Sequence, residues 1–338
     1  MEPYYYTQMN KEEQAAYHAM KEGLLSLAPS FPVPRLEGRE LSELFFCLRL
    51  DCPEIFYASG FHYRFYPSSA HVEFIPEYLF DKAKIKEHQK AMAARVNKLA
   101  AKAQAMNERE KEQYIHDFIC TSVRYDKLKK PYSHEIIGPL GQGVGVCEGI
   151  AKTVKILCDT LGIGCIIAVS EANPEKKIRY RHAWNVIKLS GNCYHLDATF
   201  DNSLGRDGQL RYDYFNLDDR QLFRDHEPVI WPVPACTDRE HFYYREKKLS
   251  FTKQEEVAKR AQQAIRKGKT FIFHWRGGYL TKEVLTQLLT LLRQAAADKG
   301  RYARVSVNWH QAVLQVSFPE EAPEAEVALE QANEGEEA

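Results

Sequence analysis

The chain has 338 residues, of which 44% are hydrophobic and 12% aromatic, enough for one large domain or two to three smaller packed units. Lysine plus arginine equals aspartate plus glutamate at 46 each, so no overall charge favours nucleic acid or an anionic membrane. The N-terminal residues lack the basic and apolar regions of a signal peptide, and no apolar run is long enough to span a membrane. We therefore expect a cytoplasmic protein with no nucleic-acid or membrane partner.

The first region, residues 1–125, is predicted to be helical around one β-hairpin. Helical spacing of apolar residues recurs in four segments, and FHYRFYP and HVEFIP alternate like two strands joined at Pro67-Ser68-Ser69. The four predicted helices cover residues 11–27, 40–50, 81–106 and 108–123.

The second region, residues 126–245, is predicted to be an α+β core. A glycine-rich loop, GPLGQGVGVCEG, leads directly into a helical pattern from Cys147 that ends before Gly162. Three β-type runs follow, CIIAVS, HAWNVIKL and CYHLDATF, and Gly191-Asn192 between the last two predicts an antiparallel pair. One helix packed on an antiparallel sheet accounts for these elements.

The remaining chain is predicted to form a small α/β domain over residues 246–318, with the order helix, strand, helix, strand, strand. Residues 319–338 are acidic, contain no lysine or arginine and have few large apolar side chains. Such a composition cannot bury enough apolar surface to order itself, so we expect a disordered acidic tail.

The eight cysteines are scattered without CxxC pairs, and a chain of this length needs no disulfide framework. We interpret them as reduced thiols, and Cys147 differs from the others in its position. It follows a glycine-rich loop and opens a helix, where backbone N–H groups and the helix dipole stabilise a thiolate. Its own N–H could also donate to an oxyanion, and Gln142 is a candidate second donor.

A thiolate nucleophile needs a base that can carry protons near neutral pH, and His182 paired with Asp197 fits this requirement. His182 begins one predicted strand and Asp197 lies in the next. The hairpin would therefore place them opposite each other within a residue or two. His195 is the reserve base and Asp201 the reserve carboxylate.

A metal site remains an alternative interpretation of the same region. Zinc could be held by Cys147, His182, Cys193 and His195, but the usual paired-cysteine spacing is absent. We therefore expect no metal and no other cofactor.

The motifs GVGVCEGIAKTVKILCDTLGI, RHAWNVIKL and CYHLDATFDNS, followed by YFNLDD and DHEP, resemble the core of the bacterial transglutaminase-like superfamily over residues 125–228. The resemblance implies a papain-like α+β fold and a Cys147, His182, Asp197 triad. It also implies chemistry through a thioester on a protein or peptide substrate.

Two aromatic residues near the predicted base complete the candidates. Tyr180 and Trp184 could be walls of the substrate cleft, while the alternative for Trp184 is a buried strand aromatic. Three functions stay open at this stage: peptidase-like hydrolysis, which we favour; crosslinking or deamidating acyl transfer; and a binding module that keeps only the fold. The oligomeric state is not predicted.

Overall fold

A computed structural model of the protein describes residues 2–176, 178–205, 208–323 and 327–330. Helices and sheets alternate along the chain without a dominant parallel sheet, which confirms the predicted α+β class. No helix in these described residues is both long and apolar enough to cross a lipid bilayer.

The N-terminal region has five helices around a three-stranded antiparallel sheet in the order β1-β3-β2. Asn10 and Asn107 cap the second and fifth helices with reciprocal capping boxes, which explains why those helices begin where they do. The helices are α1 (Tyr4–Thr7), α2 (Lys11–Leu25), α3 (Gly38–Asp51), α4 (Lys82–Ala103) and α5 (Glu108–Ser122), and the strands are β1 (Phe31–Pro34), β2 (Ala58–Arg64) and β3 (His71–Tyr78).

The sequence pattern does not predict strand β1, because two of its four residues are prolines. A proline lacks the N–H that a central strand needs, but an edge strand tolerates it. Here Pro32 and Pro34 lie on the outer strand of the sheet, where β1 pairs with β3 alone.

The core consists of one long helix on a four-stranded antiparallel sheet, as expected, with one additional strand. The two-residue strands β4 (Arg124–Tyr125) and β5 (Val144–Gly145) pair just before the helix, and a π-helical turn (Gly138–Gln142) lies between them. The helix α6 (Cys147–Thr160) packs on the first two strands of the sheet. The sheet has the order β6 (Gly164–Ser170), β7 (His182–Leu189), β8 (Asn192–Leu196) and β9 (Phe215–Leu217).

The hairpin between β7 and β8 turns one residue earlier than predicted. Ser190 and Gly191 have φ values of 49° and 91°, and Leu189 pairs with Asn192. Two consecutive positive φ angles are the mark of a tight two-residue turn whose twist suits the flanking strands. The turn is therefore Ser190-Gly191, and Asn192 already belongs to β8.

The third predicted β run, CYHLDATF, is only half strand. Strand β8 ends at Leu196, after a shift in its register with β9. Asp197 then caps the helix α7 (Ala198–Leu204), because its carboxylate accepts hydrogen bonds from backbone N–H groups of the first turn. Two short helices follow, α8 (Asp219–Leu222) and α9 (Tyr243–Glu246).

The C-terminal unit has the predicted succession of helix, strand, helix, strand and strand, and one further strand at each edge. Its sheet has the order β10-β11-β13-β12-β14. The elements are β10 (Ser250–Phe251), α10 (Gln254–Arg266), β11 (Phe271–Trp275), α11 (Lys282–Ala297), β12 (Arg304–Asn308), β13 (Val313–Ser317) and β14 (Val327–Glu330).

The predicted disordered tail is wrong for residues 327–330. These residues form β14, which pairs parallel with β12. The buried guanidinium of Arg211 lies 2.7 Å from the Glu330 carboxylate and also 2.7 Å from that of Asp213, so Glu330 adds a second carboxylate to a buried ion pair. The other acidic residues at 324–326 and 331–338 lie outside the described residues.

The N-terminal region and the core share one hydrophobic cluster. Leu48 of α3, Ile115 of α5, Val154 of α6 and Ile187 of β7 all belong to it and are fully buried. The helices of the first region therefore help to hold α6 and the sheet in place. The domain boundaries at 125 and 245 stay predictions.

Candidate active site

Cys147 is the first residue of α6, as predicted. Val146 precedes it in an extended conformation and makes no side-chain cap, so no side chain at the cap position occupies the first-turn N–H groups. Gly149 allows this end of the helix to pack closely, because a Cβ there would lie 2.2 Å from the Ser133 carbonyl oxygen. Cys147 is buried, which opposes a charge, but it lies at the positive end of a 14-residue helix, and this position favours a negative charge on sulfur.

The thiol also lies beside the start of β7. Its Sγ is 3.9 Å from the carbonyl oxygen of Arg181, the residue immediately before His182. The helix start and the strand start therefore bring the predicted nucleophile and the predicted base into one place.

His182 and Asp197 form the predicted pair, although Asp197 lies one residue past the end of β8. Nε2 of His182 is 2.6 Å from Oδ2 of Asp197, and both residues are buried. Since Nε2 faces the carboxylate, Nδ1 is the ring atom that can exchange a proton with a thiol. A carboxylate in this position fixes the tautomer and orientation of the ring and stabilises its protonated form.

Asp197 is held by more groups than the sequence indicated. Its Oδ1 accepts hydrogen bonds from the backbone N–H groups of Thr199 and Phe200 at 2.9 and 3.0 Å. Its Oδ2 also lies 2.9 Å from Nε2 of a second histidine, His226. Burial opposes ionisation, but the two histidines outweigh it and lower the pKa of Asp197 well below its usual range.

His226 is the residue of this site that sequence reasoning missed. Its Nδ1 is 2.9 Å from Asp225, whose carboxylate also accepts bonds from the Tyr214 hydroxyl and the Gln311 amide. Burial lowers the pKa of His226, but the bonds to Asp197 and Asp225 outweigh it and the net pKa is raised. The DHEP motif contains this histidine, so the signal was present but carried no assigned role.

His195, the reserve base, lies in a different environment. Its Nε2 is 2.8 Å from Asp219, and its Nδ1 accepts a hydrogen bond from the Trp184 indole at 3.1 Å. The register shift at His195 and Leu196 ends the regular alternation that would have placed His195 beside Asp197. Both ring nitrogens are thus engaged away from the Asp197 carboxylate.

Asp201, the reserve carboxylate, pairs with another histidine. Its Oδ2 is 3.0 Å from Nε2 of His116 on α5, and its Oδ1 accepts the backbone N–H of Tyr214. Burial raises the pKa of Asp201 to about 7 in spite of these bonds. It joins α7 to α5 and is not part of the His182 pair.

The two candidates for the cleft wall and the candidate oxyanion donor occupy different positions. Trp184 is 1% exposed, which favours the buried strand aromatic over a wall of an open cleft; its ring stacks beside His182 with centroids 5.8 Å apart. Tyr180 is 48% exposed and packs against the Lys129 ammonium. Gln142 is exposed at the end of the π-helical turn, and its role as a donor stays a prediction.

Two groups of side chains in the described residues place potential metal-ligand atoms within 4.8 Å of one another. They are His182, Asp197 and His226, and separately His195, Asp219 and Cys236. Neither group is the zinc set of Cys147, His182, Cys193 and His195 that the sequence suggests as an alternative. In each group the histidine and carboxylate atoms already hydrogen-bond to one another, as they do in sites that need no ion.

Comparison with known proteins supports the resemblance seen in the motifs. Residues 94–198 match the family model of the transglutaminase-like superfamily, and this segment contains Cys147, His182 and Asp197. The match confirms the resemblance over this segment, which is about a third of the chain. No curated protein matches the chain.

Solved structures with partial similarity to the chain include the following two. One is a crystal structure described as a TGase, with 12% identity over 54% of this chain and a TM-score of 0.28. The other is from Cytophaga hutchinsonii and is described as a "putative cysteine protease", with 17% identity over 41% of this chain and a TM-score of 0.27. The chain covers 47% and 61% of the lengths of these two structures.

Proposed function

We propose that this chain is a cysteine-dependent enzyme that cleaves an amide or peptide bond through a thioester on Cys147. The observation that carries this proposal is the His182–Asp197 pair at 2.6 Å, beside a thiol at the N-terminus of α6. A buried carboxylate, an oriented imidazole and a helix-terminal sulfur are the parts that nucleophilic thiol chemistry requires.

In the first half of the reaction, His182 accepts the proton of the Cys147 thiol and the thiolate attacks the carbonyl carbon. The resulting oxyanion is stabilised by N–H groups at the start of α6. When the intermediate collapses, the carbon–nitrogen bond breaks and His182 gives its proton to the leaving amine. Asp197 stabilises the imidazolium between these two steps.

In the second half, an acceptor attacks the thioester while His182 removes the acceptor's proton. The carbon–sulfur bond breaks and the thiolate is restored. We propose water as the principal acceptor, giving peptidase-like hydrolysis, because an amine must bind close to the thioester to compete with bulk water. A primary amine would instead give transamidation by the same steps.

The first test is selective alkylation of the thiols in the native protein. We expect brief iodoacetamide treatment at mildly acidic pH to modify Cys147, since only a thiolate reacts quickly. Burial raises the pKa of Cys47 to about 12 and of Cys52 to about 11, so these thiols should stay unmodified. The His182→Ala variant should lose the acid-pH reaction; uniform or absent labelling would favour a binding module without activity.

The second test identifies the acceptor. The protein is incubated with glutamine-containing peptides and proteins in heavy-oxygen water, with and without a tagged primary amine, and products are mapped by mass spectrometry. Heavy oxygen in new carboxyl groups supports hydrolysis, and incorporation of the tag supports transamidation. Cys147→Ala should abolish both, while the matched variant Cys193→Ala, which removes a partly buried thiol of β8, should retain them.

A further inference from the structure

A cavity of about 540 Å³ lies where the α8–α9 segment meets the C-terminal sheet. Its lining is basic and aromatic and includes no aspartate or glutamate. The basic residues in the lining are Arg220, Arg224, Arg239, Arg245, Arg276, His274 and His310. The chain as a whole has a formal net charge of zero, so this concentration of one sign is local.

Most of these positive charges are not neutralised within the described part of the chain. Arg239 pairs with Asp218, and Arg224 donates to the carbonyl oxygen of His310 at 3.2 Å, with Asp218 and Asp225 near enough to offset part of its charge. Arg220, Arg245 and Arg276 have no carboxylate within ion-pair distance among the described residues. A folded protein tolerates such mutual repulsion more readily where an anion binds.

The charge of the arginines also affects His274, which lines the cavity. Burial is the larger cause that lowers the pKa of His274 to about 3, and Arg224, Arg245 and Arg276 lower it further. His274 is therefore a neutral ring behind the arginines, with Nδ1 2.8 Å from the Ser250 hydroxyl. The positive charge of the cavity comes from the guanidinium groups.

We propose that this cavity binds a small molecule carrying two or more phosphate groups. A guanidinium presents paired N–H donors that match phosphate oxygens, and several on one wall suit a ligand with several phosphates. The volume falls in the range of about 300–1,000 Å³ typical of small-molecule sites. Tyr279 and Trp309 also line it and offer faces on which a planar ring could stack.

The cavity is separate from the proposed active site, since none of its lining residues belongs to the His182 pair or the thiol. Some residues of the cavity are nevertheless close in sequence to residues of the proposed active site. Arg224 precedes His226 by two residues, and Gln311, between the lining residues His310 and Ala312, hydrogen-bonds Asp225. The proposal does not depend on the proposed function.

Calorimetry on the full chain at physiological salt tests the proposal. The probes are inorganic pyrophosphate, inorganic triphosphate, ATP and orthophosphate. We expect pyrophosphate and ATP to bind at least about tenfold more tightly than orthophosphate, because they engage more than one arginine. Tighter binding of ATP than of triphosphate would assign the planar ring to the aromatic faces; equal binding would restrict recognition to the phosphates.

Variants and chemical protection separate the cavity from the rest of the surface. The double variant Arg224→Gln with Arg276→Gln should weaken pyrophosphate binding at least about tenfold, whereas Arg260→Gln, on the exposed face of α10, should leave it unchanged. In the unaltered protein, pyrophosphate should protect the cavity arginines, but not Arg260, from phenylglyoxal. No binding, no protection, or a stronger preference for heparin or RNA at equal charge would overturn the proposal.

Discussion

Two histidine–carboxylate groups lie on either side of Trp184, and they have opposite properties. On one side, His182 and His226 share the carboxylate of Asp197. On the other side, His195 contacts Asp219. The Trp184 ring stacks beside His182 and donates its N–H to His195, so the two groups are neighbours built from the same types of residue.

The difference between them comes from burial and from the number of partners. The Asp197 side chain is 1% exposed and accepts two histidines and two backbone N–H groups, whereas the Asp219 side chain is 39% exposed. The pKa of His226 is raised by its two carboxylates against the effect of burial, while burial lowers the pKa of His195. The first group can therefore hold a protonated imidazole, and the second holds a neutral one.

Removing the charge of each carboxylate tests this contrast most strongly. We expect Asp197→Asn to reduce turnover by roughly 10⁴-fold, because the amide cannot stabilise the His182 imidazolium and favours the wrong tautomer. Asp219→Asn should leave turnover essentially unchanged. Both variants are assayed with the substrate found by mass spectrometry, after circular dichroism has verified folding. Equal losses in the two variants would remove the distinction between the groups.

The helices and sheets were predictable because their signals are local. The asparagines at positions 10 and 107 and the alternation in β2 and β3 specify their elements without long-range contacts. The two-residue strand β10 and the edge strand β14 lack such signals, since their order depends on pairing with distant strands. Pairing with β12 and the buried charge of Arg211 stabilise β14 in a stretch whose composition indicates disorder.

The candidate site was predictable to the extent that one helix and one hairpin build it. His182 and Asp197 lie at the open end of one hairpin, so their proximity follows from spacing and from the turn, and Cys147 lies at the start of the helix that packs on this sheet. His226 reaches Asp197 from 29 residues further along the chain, through a segment of two short helices and a three-residue strand joined by irregular stretches. No periodicity predicts that approach, and the bonds of Asp225 that stabilise it come from Tyr214, 11 residues away, and Gln311, 86 residues away.

The second histidine on Asp197 is predicted to act as a positioning residue. His226→Phe removes one bond to Oδ2 and should lower kcat by about tenfold to a hundredfold, because a small displacement of the catalytic ring is costly. His226→Gln can keep an N–H donor and should recover part of this loss with KM little changed. Steady-state kinetics of both variants check the order. A Phe variant with normal kcat and only lower stability would limit His226 to a structural role.

The two groups should also give opposite pH dependence of stability. The folded pKa of His226 is raised, so its stabilisation is present below the unfolded value of about 6.5 and is lost as the pH rises through the folded value. The folded pKa of His195 is lowered, so its stabilisation is present above about 6.5 and is lost as the pH falls through the folded value.

Urea unfolding at a series of pH values measures both slopes. His226→Gln should flatten the decline in the free energy of unfolding above pH ~6.5, and His195→Gln should flatten the decline below it. The unaltered protein serves as the reference for both variants. The same slope change in the two variants, or a change on the opposite side of the reference value, would contradict the assigned charge states.

The smallest expected effect concerns the ring between the groups. Trp184→Phe keeps an aromatic ring beside His182 but removes the N–H donated to His195, and should cost about 1 kcal/mol more than packing alone, with turnover little changed. Trp275→Phe is the matched control, because that buried indole N–H has no hydrogen-bond partner among the described residues. Thermal unfolding and turnover are measured for both. A large loss of turnover at unchanged stability would restore Trp184 as a wall of the substrate cleft, and the ring would then belong to the first group instead of separating the two.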